Sequence, residues 1–596
     1  MSNQRNIVMA IVLSGLLLLG WDYAMRWFYP QPAKTAVAEQ ISEVEAAPEP
    51  GSSPVKHTRE GGLTDAGDIE LEKRDLATAL KSPARVPIVA PGLKGSINLT
   101  GALIDDLSIT RHRAHIEKDS GPTRLFSPAG TPAQYFAQFG WVGQGDGVEL
   151  PGAATRWQVV GDKLTPATPV TLRWTNAGGQ TFAIRLEIDK DYLITATQTV
   201  ANRGGGAVVV RPFALVNRTD RTASTDTWNV HSGPIGAFGG SVQFGPNYGD
   251  LAEAGKAGGE GKVDWLGFTD IYWLSALVPQ AGMDAAADFR SLGQGLYRAD
   301  LIYQPVTVAA GKQAVRTTRL FAGAKESAVL DAYEQTGIAN FGLAIDWGWF
   351  RWFERPIFLL MQKLFDLTGN FGVAIILLTL IIRGVMFPIA QRQFASMAAM
   401  RALQPKMKAL QERYKDDKPK LQQETMALYK KEGVNPLAGC LPLLIQIPIF
   451  FALYKVLILA IEMRHQPFAL WIKDLSAPDP AMILNLFGLL PFQPPSFLGI
   501  GILALLLGVT MWLQFRLNPA ALDPVQQQMF AIMPWVMMFV MAPFAAGLLI
   551  YWITSNVLTI AQQKFLYSRH PQLLAQADKD KTDMARSHAR DKKGGS

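Results

Sequence analysis

Arg383 lies in Thr379-Leu-Ile-Ile-Arg-Gly-Val-Met-Phe-Pro388, inside an apolar run long enough to cross a bilayer. An ionised side chain there costs about 3 kcal/mol or more unless water or a partner reaches it. No Asp or Glu falls within the five apolar runs of the C-terminal half, and Asp366 and Glu462 stand only at their ends. Neutral polar residues do occur at similar or adjacent depth: Gln446, Thr510, Gln514, Asn556, Gln562 and Gln563, with Thr379 one turn before the arginine. A cation among amides and hydroxyls points to a wet pocket that attracts an acidic stretch of a passing polypeptide. The bland alternative is snorkelling, because Pro388 and the membrane edge follow within about a turn and a half.

Other chemistry is poorly supported. Gly255 to Lys262 has the wrong spacing for a phosphate-binding loop, and Val263 stands where Ser or Thr is needed. His112 and His115 would face opposite sides of a strand, which argues against a shared metal. Gly143-Gln-Gly-Asp-Gly147 lacks the strand-to-helix setting of a dinucleotide site. The basic stretches match no nucleic-acid-binding module. Cys440 is the single cysteine, so no intrachain disulfide forms, and nothing beside it lowers its pKa. The expectation is a protein that is not an enzyme and needs no metal or cofactor.

The elements that carry these residues follow from hydropathy and charge. Of 596 residues, 48% are apolar and 18% charged, and the apolar ones gather near the N-terminus and after Trp347. Five runs, about Asp366–Ile389, Gly439–Ile461, Ser496–Arg516, Met529–Pro543 and Ala545–Leu566, read as membrane spans, the fourth being short. Ile7 to Leu19, followed by Trp21, Tyr23, Arg26, Trp27, Phe28 and Tyr29, is either a signal peptide or, better, a retained anchor with an interfacial belt. The stretch to Pro91 is too poor in aromatics to fold and reads as a tether. From Gly95 to about Phe321 the period is two, as in Phe182–Ile188, Tyr192–Val200 and Val208–Phe213, which predicts an antiparallel sandwich. A short helix is expected from Ala324 to Gln335.

Trp347 to Phe365, with Trp347, Trp349, Phe350, Trp352 and Phe353 beside Arg351, Glu354 and Arg355, suits a helix lying in the membrane interface, or one packing domains together. Lys and Arg crowd the segment Gln391–Asn435 and the tail after Lys579, whereas Met463 to Pro495 holds only Arg464 and Lys473. The positive-inside rule therefore puts both termini in the cytoplasm and the β-domain across the membrane. Within the basic segment, Met397, Met400, Leu403, Met407 and Leu410 recur at helical spacing before a turn at Lys415-Asp-Asp-Lys-Pro419 and a second helix to Glu432. This hairpin stripe either packs the hairpin together or offers an adaptable face to apolar clients.

Several motifs add a resemblance. Arg383–Pro388, Met400–Pro405, Asn435-Pro-Leu-Ala-Gly-Cys-Leu-Pro442, Gln446-Ile-Pro448, Phe468–Leu475 and Tyr551-Trp-Ile-Thr-Ser-Asn556 resemble, in order, the YidC/Oxa/Alb family of membrane protein insertases in its Gram-negative form. Trp552 departs from the second Tyr of many relatives. The resemblance implies a polytopic α-helical membrane protein with six transmembrane helices and a five-helix insertase core. It also implies a large all-β periplasmic super-sandwich. The implied domains are an anchor (1–29), a tether (30–91), the β-domain (92–346), an interfacial helix (347–365), a core (366–567) with its hairpin (391–432), and a tail (568–596). The implied groove holds Arg383, Thr379, Gln446, Thr510, Gln514, Asn556, Trp552 and Gln562. The implied partners are nascent membrane proteins, the Sec translocon, the bilayer and, through the basic loop and tail, the ribosome. The rival readings are a transporter or channel, and an envelope enzyme whose β-domain works on carbohydrate. The first lacks intramembrane carboxylates and paired broken helices, and fold alone does not carry the second.

Overall fold

The computed structural model describes residues 75–81, 84–117, 119–143, 148–224, 230–414, 417–432, 441–487, 490, 499–517 and 524–568. The expected anchor, most of the tether, Cys440, residues 144–147 and the basic tail lie outside the described residues.

Alternating apolar residues give two stacked antiparallel sheets, as period two requires when one face meets a core. In Leu193–Asn202 every second residue is buried. Among the described residues one sheet has nine strands, running from Ser241–Phe244 at one edge to Gln158–Val160 at the other, with Gln313–Ala324 paired to Leu193–Asn202 near its middle. The other has ten, with Val208–Thr219 central between Tyr135–Gly143 and Leu296–Tyr303. The expected strands are present and longer than the sequence windows, as in Gln180–Ile188. The sheet begins at Arg85–Val89, ahead of the expected boundary at residue 92, because Val86 and Ile88 point into the core. His112 lies in the strand Leu103–Arg113 and His115 beyond its end, so the two do not share one strand. Lys256–Gly258, expected in a loop, forms a short edge strand.

The predicted helix after the sandwich runs over Ser327–Gln335, since Ala324 still belongs to the preceding strand. A second helix, Arg351–Thr368, ends at Gly369 with φ 67°, the left-handed cap that glycine supplies most cheaply. Asp366 therefore belongs to this helix and not to the first span. The next helix, Phe371–Ala402, starts where the Asn370 side-chain oxygen accepts from Gly372 N and Val373 N at 2.9 and 3.2 Å. It continues through Pro388 and past residue 391, where the hairpin was expected to begin; Met397 and Met400 thus sit on its extension, their side chains outside the described residues. Gln404–Arg413 and Lys418–Lys431 then form the hairpin proper.

The remaining helices are Leu441–Leu459, Ile502–Leu517, Pro524–Met541 and Ala546–Ser568. Among the described residues one segment, Phe371–Gln391, is by length and composition long and apolar enough to cross a membrane. Shorter apolar helices run over Ile445–Leu459, Ile502–Arg516 and Phe530–Met541. Five full-length spans are thus more than the described helices display.

Sandwich and helices share one continuous apolar core. Polar fasteners cross the joint. Glu462, just past the Leu441–Leu459 helix, accepts from Ser327 N at 3.1 Å. Arg464 donates to the backbone oxygens of Arg113 and Ala114 at 2.8 and 3.0 Å and stacks over Trp273 at 5.3 Å. Lys455 donates to the Asp346 backbone oxygen at 2.8 Å, and Arg355 pairs with Asp331 at 2.6 Å.

Candidate functional site

The helix Ala546–Ser568 collects the polar side chains. Tyr551 and Ser555 are four apart and share one face, with Asn556 on the flank. Each reaches a different helix. Ser555 Oγ accepts from Arg383 Nε at 3.1 Å and from its Nη2. The Tyr551 hydroxyl accepts from Gln446 Nε2. Asn556 Nδ2 donates to Thr510 Oγ1 at 3.2 Å. The partner ends of these bonds come from Phe371–Ala402, Leu441–Leu459 and Ile502–Leu517, so one helix ties three others by hydrogen bonds through otherwise apolar contacts.

Arg383 is half-buried, and among the described residues it makes no ion pair. It sits about 18 Å along its helix from Phe371, taking 1.5 Å per residue. Ser555 and Asn556 are buried, as is Tyr551. Thr510 also donates to the Leu506 and Leu507 carbonyls at 2.8 and 3.0 Å, which leaves its oxygen to accept from Asn556. The constellation joins one guanidinium, two amides and three hydroxyls by hydrogen bonds between helices. Among the described residues no group of three or more His, Cys, Asp or Glu could hold a metal.

Of the expected residues, Arg383, Gln446, Thr510 and Asn556 are brought together by one helix. Thr379 is buried and spends its hydroxyl on the Ile375 carbonyl at 2.7 Å, so it serves its own helix. Trp552 turns to Phe450, ring centroids 5.1 Å apart, and is part of the apolar packing. Gln562 is half-buried, and Gln514 has a buried side-chain oxygen with no hydrogen-bond partner. Tyr551 and Ser555 were not singled out, although both stand in the quoted motif; their four-residue spacing on a helix carrying Asn556 was the available signal. Lys455 is a second cation within an apolar run, overlooked beside Arg383, and is held by the Asp346 carbonyl. In the hairpin, Leu403 and Met407 are buried and Leu410 half-buried, while Lys406 bridges to Glu432 at 2.6 Å.

The sequence profile described as 60Kd inner membrane protein matches residues 363–573, and the profile of the YidC periplasmic domain matches 85–360. The membrane protein insertase YidC of Zymomonas mobilis is 46% identical over 572 residues, covering 95% of this chain and 96% of that protein. Its counterpart from Nitrobacter hamburgensis is 42% identical, with 96% of each covered. Among solved structures, an active YidC insertase with its first transmembrane domain resolved is similar at 19% identity. It has a TM-score of 0.36 and covers 81% of this chain and 92% of its own. The chain belongs to the YidC family of membrane protein insertases, proteins of the bacterial inner membrane with a periplasmic β-sandwich domain and a helical C-terminal region.

Proposed function

We propose that the polar ties along Ala546–Ser568 form the path by which the flank of a nascent segment enters the bilayer. Arg383 and the amides of Gln446 and Asn556 replace water lost by that flank, while the apolar part slides into lipid, driven by burial. Thr379, Gln514, Trp552 and Gln562 line or brace the same path. Capture falls to the apolar stripe Met397, Met400, Leu403, Met407 and Leu410, in which Leu403 and Met407 are buried and Leu410 half-buried, so that capture needs the hairpin to open. The membrane potential assists an acidic flank moving outward by about 2.3 kcal/mol per charge per 100 mV. No nucleotide or metal enters the scheme.

The observation that carries this reading is a guanidinium within a span whose side-chain partner is a hydroxyl, not a carboxylate. A charge kept for structure is normally neutralised by a partner. In this reading the chain crosses the membrane six times, with both termini cytoplasmic. The anchor is 1–29, the interfacial helix covers 347–365, the core is 366–567, and the tail 568–596 faces the cytoplasm. Small clients are handled by the chain alone and larger ones with the Sec translocon, the basic loop and tail facing the ribosome. Two measurements test this. Labelling of cysteines placed at Lys408 and Gly205 should find them on opposite faces of the membrane. Depletion of the protein should stop small inner-membrane proteins from inserting; normal insertion after depletion would refute the reading.

A further inference from the structure

The connection between the Gln446 and Thr510 helices carries a turn built inside out. It lies on the β-domain side, since Arg464 at its start bonds the Arg113 and Ala114 carbonyls. Within 481–487 the one polar side chain is Asn485, and it is 8% exposed. Its neighbours Leu484, Leu486 and Phe487 are 50, 53 and 56% exposed. A turn in water places its polar groups outward and its leucines inward. Three backbone N–H groups of this turn are satisfied within the protein: Phe487 N donates to the Met482 carbonyl at 2.8 Å, Leu486 N to Ile483 at 3.1 Å and Ile483 N to Ile500 at 3.0 Å. Such internal bonds lower the cost of holding a non-helical segment away from water.

Two further features show that the outward presentation is imposed. Leu486 and Phe487 have φ of 51° and 63°, a region that bulky residues seldom adopt unless their surroundings enforce it. The enforcement is visible beside them. Buried Asp479 accepts from Trp471 Nε1 at 2.9 Å, Ala481 N at 3.0 Å and Leu503 N at 2.8 Å. It thereby ties the turn to the first residues of the Thr510 helix. No Asp, Glu, Lys or Arg occurs between Asp479 and Arg516, so no charge opposes burial in hydrocarbon.

We propose that this turn is a lipid-dipping apex: Ile483, Leu484, Leu486 and Phe487 enter the hydrocarbon of the periplasmic leaflet and, through Asp479, fix the depth of the Thr510 helix. The occupant is acyl chain because the turn is bonded directly to the start of the apolar Ile502–Leu517 helix, through Ile502 N on the Ala481 carbonyl at 3.1 Å, and contains no charged residue. The contact belongs to the resting protein and needs no client.

The test uses the full chain in phospholipid vesicles, with Cys440→Ser and single nitroxide labels at Leu484→Cys or Phe487→Cys. Oxygen concentrates in lipid and a nickel chelate in water, so their collision rates report depth. Labels at exposed Val385 in the Arg383 helix and exposed Gly205 in the β-domain set the two limits. The oxygen-to-nickel ratio at Leu484 and Phe487 is expected to match Val385. A ratio matching Gly205 overturns the proposal. So does a ratio that rises only when purified Sec translocon is added, which would make the turn a protein-docking face. Ile483→Cys and Leu490→Cys provide independent label sites should either variant fail to assemble.

Discussion

Arg218 in the sandwich is buried and Arg383 in the helical half is half-buried, and their surroundings differ in kind. Arg218 is 1% exposed, gives Nη2 to Asp270 Oδ2 at 2.6 Å, and lies 4.8 and 5.8 Å from the ring centres of Tyr135 and Tyr248. Asp270 in turn accepts from Ser224 N at 2.9 Å and Ser232 Oγ at 3.2 Å, and the Tyr135 hydroxyl meets Ser275 on the opposite sheet. That charge is neutralised by a carboxylate and stacked between rings. Arg383 has one serine. The sandwich treats its arginine as a bolt between sheets, whereas the helical half gives its arginine a hydroxyl and no carboxylate among the described residues.

The largest effect should come from breaking the bolt. Arg218→Ala strands Asp270 in the core, and Asp270→Ala strands Arg218; each is expected to destabilise the β-domain by about 3–5 kcal/mol. Thermal unfolding of the detergent-solubilised chain measures it. Arg218→Met combined with Asp270→Leu removes both charges at similar volume and should recover most of the loss. A single variant that melts like the parent would show that the pair is no bolt and erase the contrast.

The joint between the two halves provides an intermediate case. Glu462 is enclosed with one oxygen on Ser327 N and the other without a partner, and burial, with Glu326 facing it, pushes its pKa up to about 7. A carboxyl with a raised pKa favours the docked state as the neutral acid. Its contribution is therefore fully present below the usual range near 4.5 and is lost as pH rises through about 7. The change amounts to at most about 3 kcal/mol. Glu354, beside Lys455 and Asp346, is likewise pushed up to about 7 by its burial, so it titrates over the same interval. Hydrogen exchange in Ser327–Gln335 should accelerate between pH 5 and 8. Glu462→Gln keeps an acceptor for Ser327 and should flatten its part of that profile; an unchanged profile would assign the titration to Glu354.

The sandwich was legible because period-two alternation, as in Phe182–Ile188, is a local signal. Its bolt was not, because Arg218 and Asp270 meet only after the two sheets stack. In the helical half the lone Arg383 stood out against apolar neighbours, and so did Gln446, Thr510 and Asn556. Ser555 did not, since a serine in a span has a helix-internal use as readily as an interhelical one. The start of the hairpin was not legible either, because the Arg383 helix runs on through Pro388 to Ala402 and takes the first residues of the expected hairpin with it. Met407 shows a limit of periodicity, which gives a face but not what covers it.

The smallest effect on stability, and the sharpest on function, belongs to Arg383. Ser555→Ala removes its hydrogen-bonding side chain, and if water takes the place the chain should lose no more than about 1 kcal/mol, below the roughly 1.5–3 kcal/mol of a dry bond to a charged group. Arg383→Ala strands no carboxylate and should likewise fold. Arg383→Lys should keep most insertion activity, because a hydrated site needs charge more than a planar fork. Arg383→Glu should be the worst variant, and chiefly for clients with acidic translocated flanks, which it repels. Clients with neutral flanks should tolerate even Arg383→Ala, since Gln446, Thr510 and Asn556 still offer hydrogen bonds along the path. Insertion of a matched client pair, acidic and neutral in the translocated segment, into vesicles carrying each variant separates the cases. Equal loss for both clients, or a lysine variant as poor as the glutamate one, would make Arg383 a bolt like Arg218.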